Sequence, residues 1–270
     1  MTRDDGLIRT VSEPRCWKSR AHIVAAVMLG LGAEGFVLLS ALAGPPFRTD
    51  DPVPVDYAHG ELYLFATGSQ AKGTNEGVAP AIEANYGFAP NAMTHAILPL
   101  AYNREDGTTN WGYGDTEIGI KYQFLDGGAE GTGLQAGVFP IVVVPTGDEH
   151  LGLGGGENQI FLPLWLQKDA GPWTTYGGGG YWVNPGTDNK DYWFAGWLLQ
   201  RQVTDHLALG GELFYQTADT VDGVDSTGFN LGGVYDFTPQ QHLLFSAGTG
   251  IENASATNTF SYYLGYQYTF

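Results

Sequence analysis

The last eleven residues, Phe260-Ser-Tyr-Tyr-Leu-Gly-Tyr-Gln-Tyr-Thr-Phe270, decide the fold. Phe260, Tyr262, Leu264, Tyr266, Tyr268 and Phe270 share one parity. Ser261, Gly265, Gln267 and Thr269 take the other, with Tyr263 among them. Successive side chains of a β-strand point to opposite faces, so the segment shows one unbroken apolar face and one mostly polar one. A lipid-facing wall over a polar lumen explains that pattern. A soluble β-sandwich, the plainer alternative, would not put six such residues on an outer wall. Upstream, Phe229, Leu231, Tyr235 and Phe237 alternate with Asn230, Gly232 and Asp236. Ile118, Ile120, Tyr122 and Phe124 alternate in the same way with Glu117, Gly119, Lys121 and Gln123.

Working back from the end, no stretch from Tyr57 onward reads as an amphipathic helix. Strand-like segments recur instead, bounded by Gly, Asn, Asp, Pro and Thr. They fall at 59–70, 78–88, 92–102, 113–125, 132–144 and 157–168, then at 173–183, 191–202, 207–217, 227–237, 242–251 and 258–270. Twelve is an even number, and the lengths suit membrane strands of about 9–11 residues. Short turns at 89–91, 169–172, 203–206 and 238–241 alternate with longer polar links at 103–112, 145–156, 184–190, 218–226 and 252–257. Only the link at 126–131 is longer than its short partners. Short periplasmic turns and longer outer loops produce this alternation. The expected fold is all-β: a transmembrane antiparallel up-and-down β-barrel of about 12 strands over 59–270, preceded by a signal peptide.

Composition agrees. Of 270 residues 40 are Gly, 13% are aromatic and only 15% are charged, against about 25% charged in an average soluble domain. Mean hydropathy is -0.14, too polar for a bundle of membrane helices. The formal net charge of -17 argues against nucleic acid as a partner.

Residues 1–20 carry Arg3, Arg9, Arg15, Lys18 and Arg20. An apolar run from Ala21 to Leu42 follows, closing on the small-x-small pattern Ala41-Leu42-Ala43 before Pro45 and Pro46. This is the anatomy of a secretory signal over 1–43 with an extended basic start, cleaved after Ala43; the true start could be Met28. The run is also long enough for an uncleaved anchor, a reading that Glu34 weakens. The sole cysteine, Cys16, leaves with the signal and lacks the context of a lipid-anchor site. Residues 44–270 then hold 7 Lys and Arg against 25 Asp and Glu, a net charge of -18. The Pro-rich segment 44–58 either stays in the periplasm or folds into the lumen as a plug.

Two places resemble known proteins. The end, Tyr262-x-Leu264-x-Tyr266-x-Tyr268-x-Phe270, is similar to the C-terminal strand of bacterial outer-membrane proteins. That resemblance implies recognition by the barrel-assembly machinery through Phe270. The start, Gly44-Pro-Pro-Phe-Arg-Thr-Asp-Asp-Pro-Val-Pro-Val-Asp56 followed by Glu61-Leu62-Tyr63, resembles a family of transporter-like barrels labelled as an outer-membrane component of phenol-degradation (meta-pathway) operons. It implies transport of aromatic or other hydrophobic small molecules, and it carries no set of functional residues across.

Enzymatic motifs are absent: no G-x-S-x-G elbow, no P-loop, no H-E-x-x-H, no paired cysteines. Gly131-x-Gly133-x-x-Ala136 mimics a dinucleotide fingerprint but opens a strand where a helix is required. A membrane phospholipase would need a serine–histidine pair on the outer wall, and none stands out. His59, His95, His150, His206 and His242 are scattered and receive no catalytic role. Asp219-x-x-Asp222-x-x-Asp225 and Asp148-Glu149 match no calcium-loop spacing and read as solvated loops. No metal or cofactor is expected.

The lumen is more informative. Glu61, Glu83, Glu117, Glu212 and Asp236 fall on the inner parity, with Lys121 and Arg201 as possible partners. Such a set is either a self-satisfied ion-pair network that plugs the barrel or a passage favouring neutral and cationic solutes. Trp193 and Trp197, placed on the side of Arg201, would line a narrow, partly hydrophobic interior and stack on aromatic cargo, unless they only fill space. Pro99, Pro140 and Pro163 lie within strands, and each should mark a bulge or break because proline cannot donate to the ladder. Pro140 and Pro163, on neighbouring strands, could weaken the wall for lateral exit of a hydrophobic ligand. The expected function is passive or facilitated uptake of small hydrophobic or aromatic molecules across the outer membrane. The alternative is a plugged barrel with a structural or partner-binding role.

Overall fold

The computed structural model describes residues 45–105, 107–128 and 133–270. The expected signal at 1–43 lies outside the described residues, as do parts of the 126–131 link and of the Gly131-x-Gly133 motif. Fourteen strand segments follow one another: β1 (Gly60–Ala71), β2 (Thr74–Ala89), β3 (Ala92–Glu105), β4 (Thr108–Tyr113), β5 (Thr116–Asp126), β6 (Gln135–Val138) and β7 (Ile141–Val144). Then come β8 (Gln159–Ala170), β9 (Trp173–Val183), β10 (Tyr192–Thr204), β11 (Leu207–Gln216), β12 (Ser226–Thr238), β13 (Gln241–Glu252) and β14 (Phe260–Thr269). β4 and β5 both pair with β3 and share one wall position. β6 and β7 share the next, each lying between β5 and β8. The wall therefore has twelve positions, all antiparallel.

Closure comes from the two ends of the chain. β1 pairs with β14 from Glu61 opposite Thr269 to Gln70 opposite Phe260. Gly60 and Phe270 exchange backbone hydrogen bonds of 2.8 and 2.9 Å. The Phe270 ring fills the space where a Gly60 side chain would stand. With no free edge, every strand can satisfy its backbone in a medium without water.

Side-chain facing follows the alternation in the sequence. Leu62, Leu64, Ile82, Tyr86, Ile118, Ile120, Leu162, Leu213, Leu231 and Leu264 stand on the outer face, each more than 40% exposed. A soluble monomer does not expose apolar surface on this scale. Inside, two clusters fill much of the barrel. One holds Met93, Phe139, Ile141, Phe161, Trp165, Phe194 and Phe214; the other holds Tyr63, Phe65, Ala81, Val234 and Leu244. Glycines of β9 make room for the first, since Trp165 lies on Gly178 and Phe161 on Gly180.

The rim carrying Gly60 and Phe270 has short connections at 90–91, 171–172, 205–206 and 239–240 and a longer one at 127–134. The opposite rim carries the longer links 145–158, 184–191, 217–225 and 253–259. Short turns mark the periplasmic rim and long loops the outer one. One expectation needs correction: 103–112 is not a polar loop. β3 and β4 continue through it as a hairpin, with Glu105 opposite Thr108. Gly107 has φ +82°, which glycine supplies without strain and which hairpin turns of this length require. β1 and β2 are likewise joined by a two-residue turn, Lys72-Gly73.

Candidate functional site

Residues 45–58 lie inside the barrel as a strap, bonded to inward side chains from opposite parts of the wall. Val55 N donates to Met93 Sδ of β3 at 3.3 Å. Farther along, Lys121 of β5 reaches Asp50 at 3.0 Å and Asp51 at 3.7 Å while its ammonium lies 5.0 Å from the Phe139 ring centre. Glu212 of β11 accepts four hydrogen bonds: Arg48 N at 2.9 Å, Thr49 N at 2.8 Å, Thr49 Oγ1 at 2.6 Å and Asn230 Nδ2 at 2.6 Å. Ser246 of β13 donates to the Pro46 carbonyl. Glycines let the strap approach the wall: a side chain at Gly137 would meet Pro52, and one at Gly196 would meet Thr49. Thr49 and Asp51 are fully buried. Buried charge is tolerated only when paired and hydrogen-bonded; Glu212 and Lys121 find partners in the strap, while Asp51 Oδ2 accepts no hydrogen bond and meets only the Lys121 charge.

Arg48 is the exception in this set. Its guanidinium donates to Gln216 Oε1 at 2.8 Å and lies over the rings of Phe214 (4.5 Å) and Phe194 (5.0 Å). No carboxylate among the described residues forms an ion pair with it, and the side chain stays open to the lumen.

Of the residues singled out from the sequence, Glu61, Glu83, Glu117, Lys121, Glu212 and Asp236 turn inward. They do not form one network. Glu83 and Glu117 flank His95, whose Nε2 lies 2.9 Å from Glu117 and whose Nδ1 lies 2.8 Å from Asn85 and 3.5 Å from Glu83. Glu61 accepts from Tyr63, and Asp236 sits 2.6 Å from His242. Lys121 pairs with the strap instead of the wall acids.

Trp193, Trp197 and Arg201 correct the reading of β10. Phe194, Gly196, Leu198 and Gln200 are the buried residues of this strand, while Trp193 and Trp197 are 58% and 55% exposed on the outer face. The Trp197 indole rests on Gly177 and donates to Thr175 Oγ1 at 2.9 Å. Assigning the side of Arg201 to the lumen assumed that a charge must face inward. Arg201 instead lies near the periplasmic end of β10, where a long side chain can cover apolar surface and still reach the headgroup region.

Sequence reasoning missed the strap residues Arg48, Thr49, Asp50 and Asp51, and both inner histidines. The parity of β3 could have found His95, which faces Glu117 across one strand pair. It also missed the inner aromatics. Phe161 stacks on Trp182 at 4.6 Å and Trp182 on Tyr192 at 5.8 Å, a row that climbs toward the loop end.

Tyr192 opens into a cavity of about 620 Å³, lined also by Glu149, Glu157, Gln159, Asn184 and Asp219. No Lys or Arg lines it. The 145–158 loop forms part of this mouth by folding over the inner face of the β3–β4 hairpin. Asn110 donates to the Leu151 carbonyl at 3.1 Å, and the Asp115 carboxylate accepts Gly147 N and Gly155 N at 2.9 and 2.6 Å. In the 217–225 loop Asp225 accepts Tyr215 Oη at 2.6 Å and Ala218 N at 2.9 Å. The tyrosine hydroxyl, then the amide, hold its carboxyl below the usual value. Among the described residues no three His, Cys, Asp or Glu side chains converge on a metal-sized site.

The prolines stand at interruptions of the wall. Pro140 lies between β6 and β7, and its carbonyl accepts Ile120 N at 3.2 Å. Pro163 lies in β8 across the same gap, between the β6 contacts at Leu164 and the β7 contacts at Phe161. Phe139 covers the gap from inside, buried against His95 and Lys121. Pro99 faces the break between β4 and β5, its carbonyl accepting Gly114 N at 3.0 Å.

Solved structures share this architecture. The COG4313 outer membrane channel from Pseudomonas putida F1 aligns over 84% of this chain and 99% of its own, with TM-score 0.65 and 17% identity. The KdgM porin, solved in complex with disordered oligogalacturonate, aligns over 77% and 99% (TM-score 0.53, 9% identity). The NanC porin aligns over 77% and 98% (TM-score 0.51, 10% identity). No curated protein matches the chain by sequence. A closed antiparallel barrel with an apolar outer band is the architecture of bacterial outer-membrane proteins, and this is a protein of that membrane. The chain belongs to the family described as "Putative MetA-pathway of phenol degradation", whose profile matches residues 62–270.

Proposed function

We propose that the protein is a passive, non-enzymatic channel for small hydrophobic or aromatic molecules that are neutral or cationic, with residues 45–58 as its gate. The observation that carries this reading is the strap itself: hydrogen bonds and ion pairs, which water can replace, hold its middle at Glu212 and Lys121, while Val55 packs on the inner aromatic cluster. Above it, the Tyr192–Trp182–Phe161 row offers ring faces to an aromatic solute. The carboxylates at the mouth disfavour anions. The likeness to proteins described as a channel and as porins supports transport, and the family description supports aromatic cargo. Loosening of the gap at Pro140 and Pro163 gives a hydrophobic solute a sideways route into the lipid once Phe139 moves. Delivery to the membrane runs through the assembly machinery, which reads the C-terminal strand ending in Phe270.

A second reading has its own observation. Trp165, Tyr176 and Leu198 are essentially inaccessible, so the lower lumen is packed like a core, as a purely structural barrel would be. Single-channel recording and liposome swelling on the full chain separate the two. Brief cation-selective steps, and swelling with small neutral aromatics, are expected of the channel. Silence from both the native protein and a strap-releasing variant would leave the structural barrel.

A further inference from the structure

We propose that the outer wall carries a binding site for one anionic phospholipid of the periplasmic leaflet, formed by Lys168, Arg201 and an apolar groove across β10–β12. Residues 45–270 hold seven basic side chains. Arg48 and Lys121 lie in the lumen. Lys72, Arg104 and Lys190 lie at the loop end. The remaining two, Lys168 and Arg201, are both exposed on the outer face near the periplasmic rim.

The register brings them to one patch. Lys168 of β8 is opposite Thr175 of β9, and Thr175 is opposite Leu199 of β10. Arg201, two residues beyond Leu199, is opposite Trp173. The two cations thus stand about 10 Å apart across the sheet and about 7 Å along it, within reach of one phosphate. Neither forms an ion pair among the described residues. The Arg201 guanidinium lies 5.2 Å from the Trp173 ring centre, which holds it against the rim.

The groove begins beside Arg201 and runs toward the membrane centre. Trp197, Leu199, Gly211, Leu213, Phe229 and Leu231 line about 340 Å³ of apolar space. Its floor is Gly211, where a side chain would collide with Leu231. An acyl chain fits an apolar channel at this depth, and a phosphate fits the unpaired cations at its end. On a protein of charge -17 most of the surface repels anions, so this patch is selective by contrast. A zwitterionic lipid would carry its own cation into the Lys168–Arg201 pair and lose that advantage.

The test is native mass spectrometry of the full chain in detergent, offered phosphatidylglycerol or phosphatidylcholine. One phosphatidylglycerol should stay bound in preference by about thirtyfold, the order expected for two membrane-facing charges. Lys168→Gln with Arg201→Gln should abolish the preference. Lys72→Gln with Arg104→Gln, an equal charge change at the loop end, should keep it. Gly211→Val should weaken retention of the lipid with both cations intact, folding being checked for each variant by heat-shifted gel mobility. Equal retention of both lipids by the native protein, equal loss in the loop-end variant, or full displacement by glycerol phosphate would overturn the proposal.

Discussion

Thr49 and Glu212, 163 residues apart, share a hydrogen bond of 2.6 Å between the threonine hydroxyl and the buried carboxylate. The same carboxylate takes the amides of Arg48 and Thr49, so one wall residue fixes the middle of the strap. Replacing Glu212 by Ala removes the acceptor for four donors at once. Hydrogen bonds to charged groups contribute about 1.5–3 kcal/mol each when a single one is tested, though such losses do not add. The expected result is release of the strap without collapse of the barrel: residues 45–58 become open to protease, and channel openings lengthen severalfold. A strap that stays protected in Glu212→Ala would remove it as the gate.

Lys121 meets two carboxylates of the strap, and Asp51 is fully buried. Lys121→Met keeps the volume and leaves buried negative charge without its partner, at a cost of about 3–5 kcal/mol. Lys121→Met combined with Asp50→Asn and Asp51→Asn should recover most of that loss. Urea midpoints in liposomes measure it. Additive losses would mean that the ion pair does not hold the strap.

At the wall gap, Phe139 is the inner cover between Pro140 and Pro163. Phe139→Ala should speed amide exchange of Ile120 and Phe161 in lipid and raise uptake of hydrophobic solutes more than that of polar ones. Full protection of both neighbouring strands around the prolines, in the native protein and in the variant, would sink the lateral route.

Most of the architecture was legible because a barrel writes its two environments into alternate residues. The parity of β14, β12 and β5 gave facing correctly, and the turn chemistry gave the order of the rims. Two kinds of feature were not legible. Tight turns in polar stretches look like loops: Asp106-Gly107 carries the hairpin signal, yet the polar residues on both sides of it read as a link. Charge near a rim is the other. Arg201 at a strand centre would have to face the lumen, but near the interface it can face outward, and Trp193 and Trp197 go with it. The strap lay beyond periodicity altogether, since 45–58 has no regular structure of its own. Its place is set by partners such as Glu212, Lys121 and Ser246, hundreds of ångströms of chain away.

Two indoles test the corrected facing directly. Trp193 and Trp197 stand on the outer wall, so phospholipids brominated along the acyl chain should quench their fluorescence, while Trp165 and Trp182 inside remain shielded. Replacing both outer residues by Phe should remove most of the lipid-dependent quenching and leave the folded barrel unchanged in gel mobility. Trp111 and Trp173 also face outward, near the two rims, and bromines at different depths separate them from the pair on β10. If the double variant lost no lipid quenching, and instead lost quenching by a small aqueous quencher entering the lumen, β10 would have to be turned over. Arg201 would then face inward with its tryptophans, and the lipid site on the outer face at the periplasmic rim would go with it.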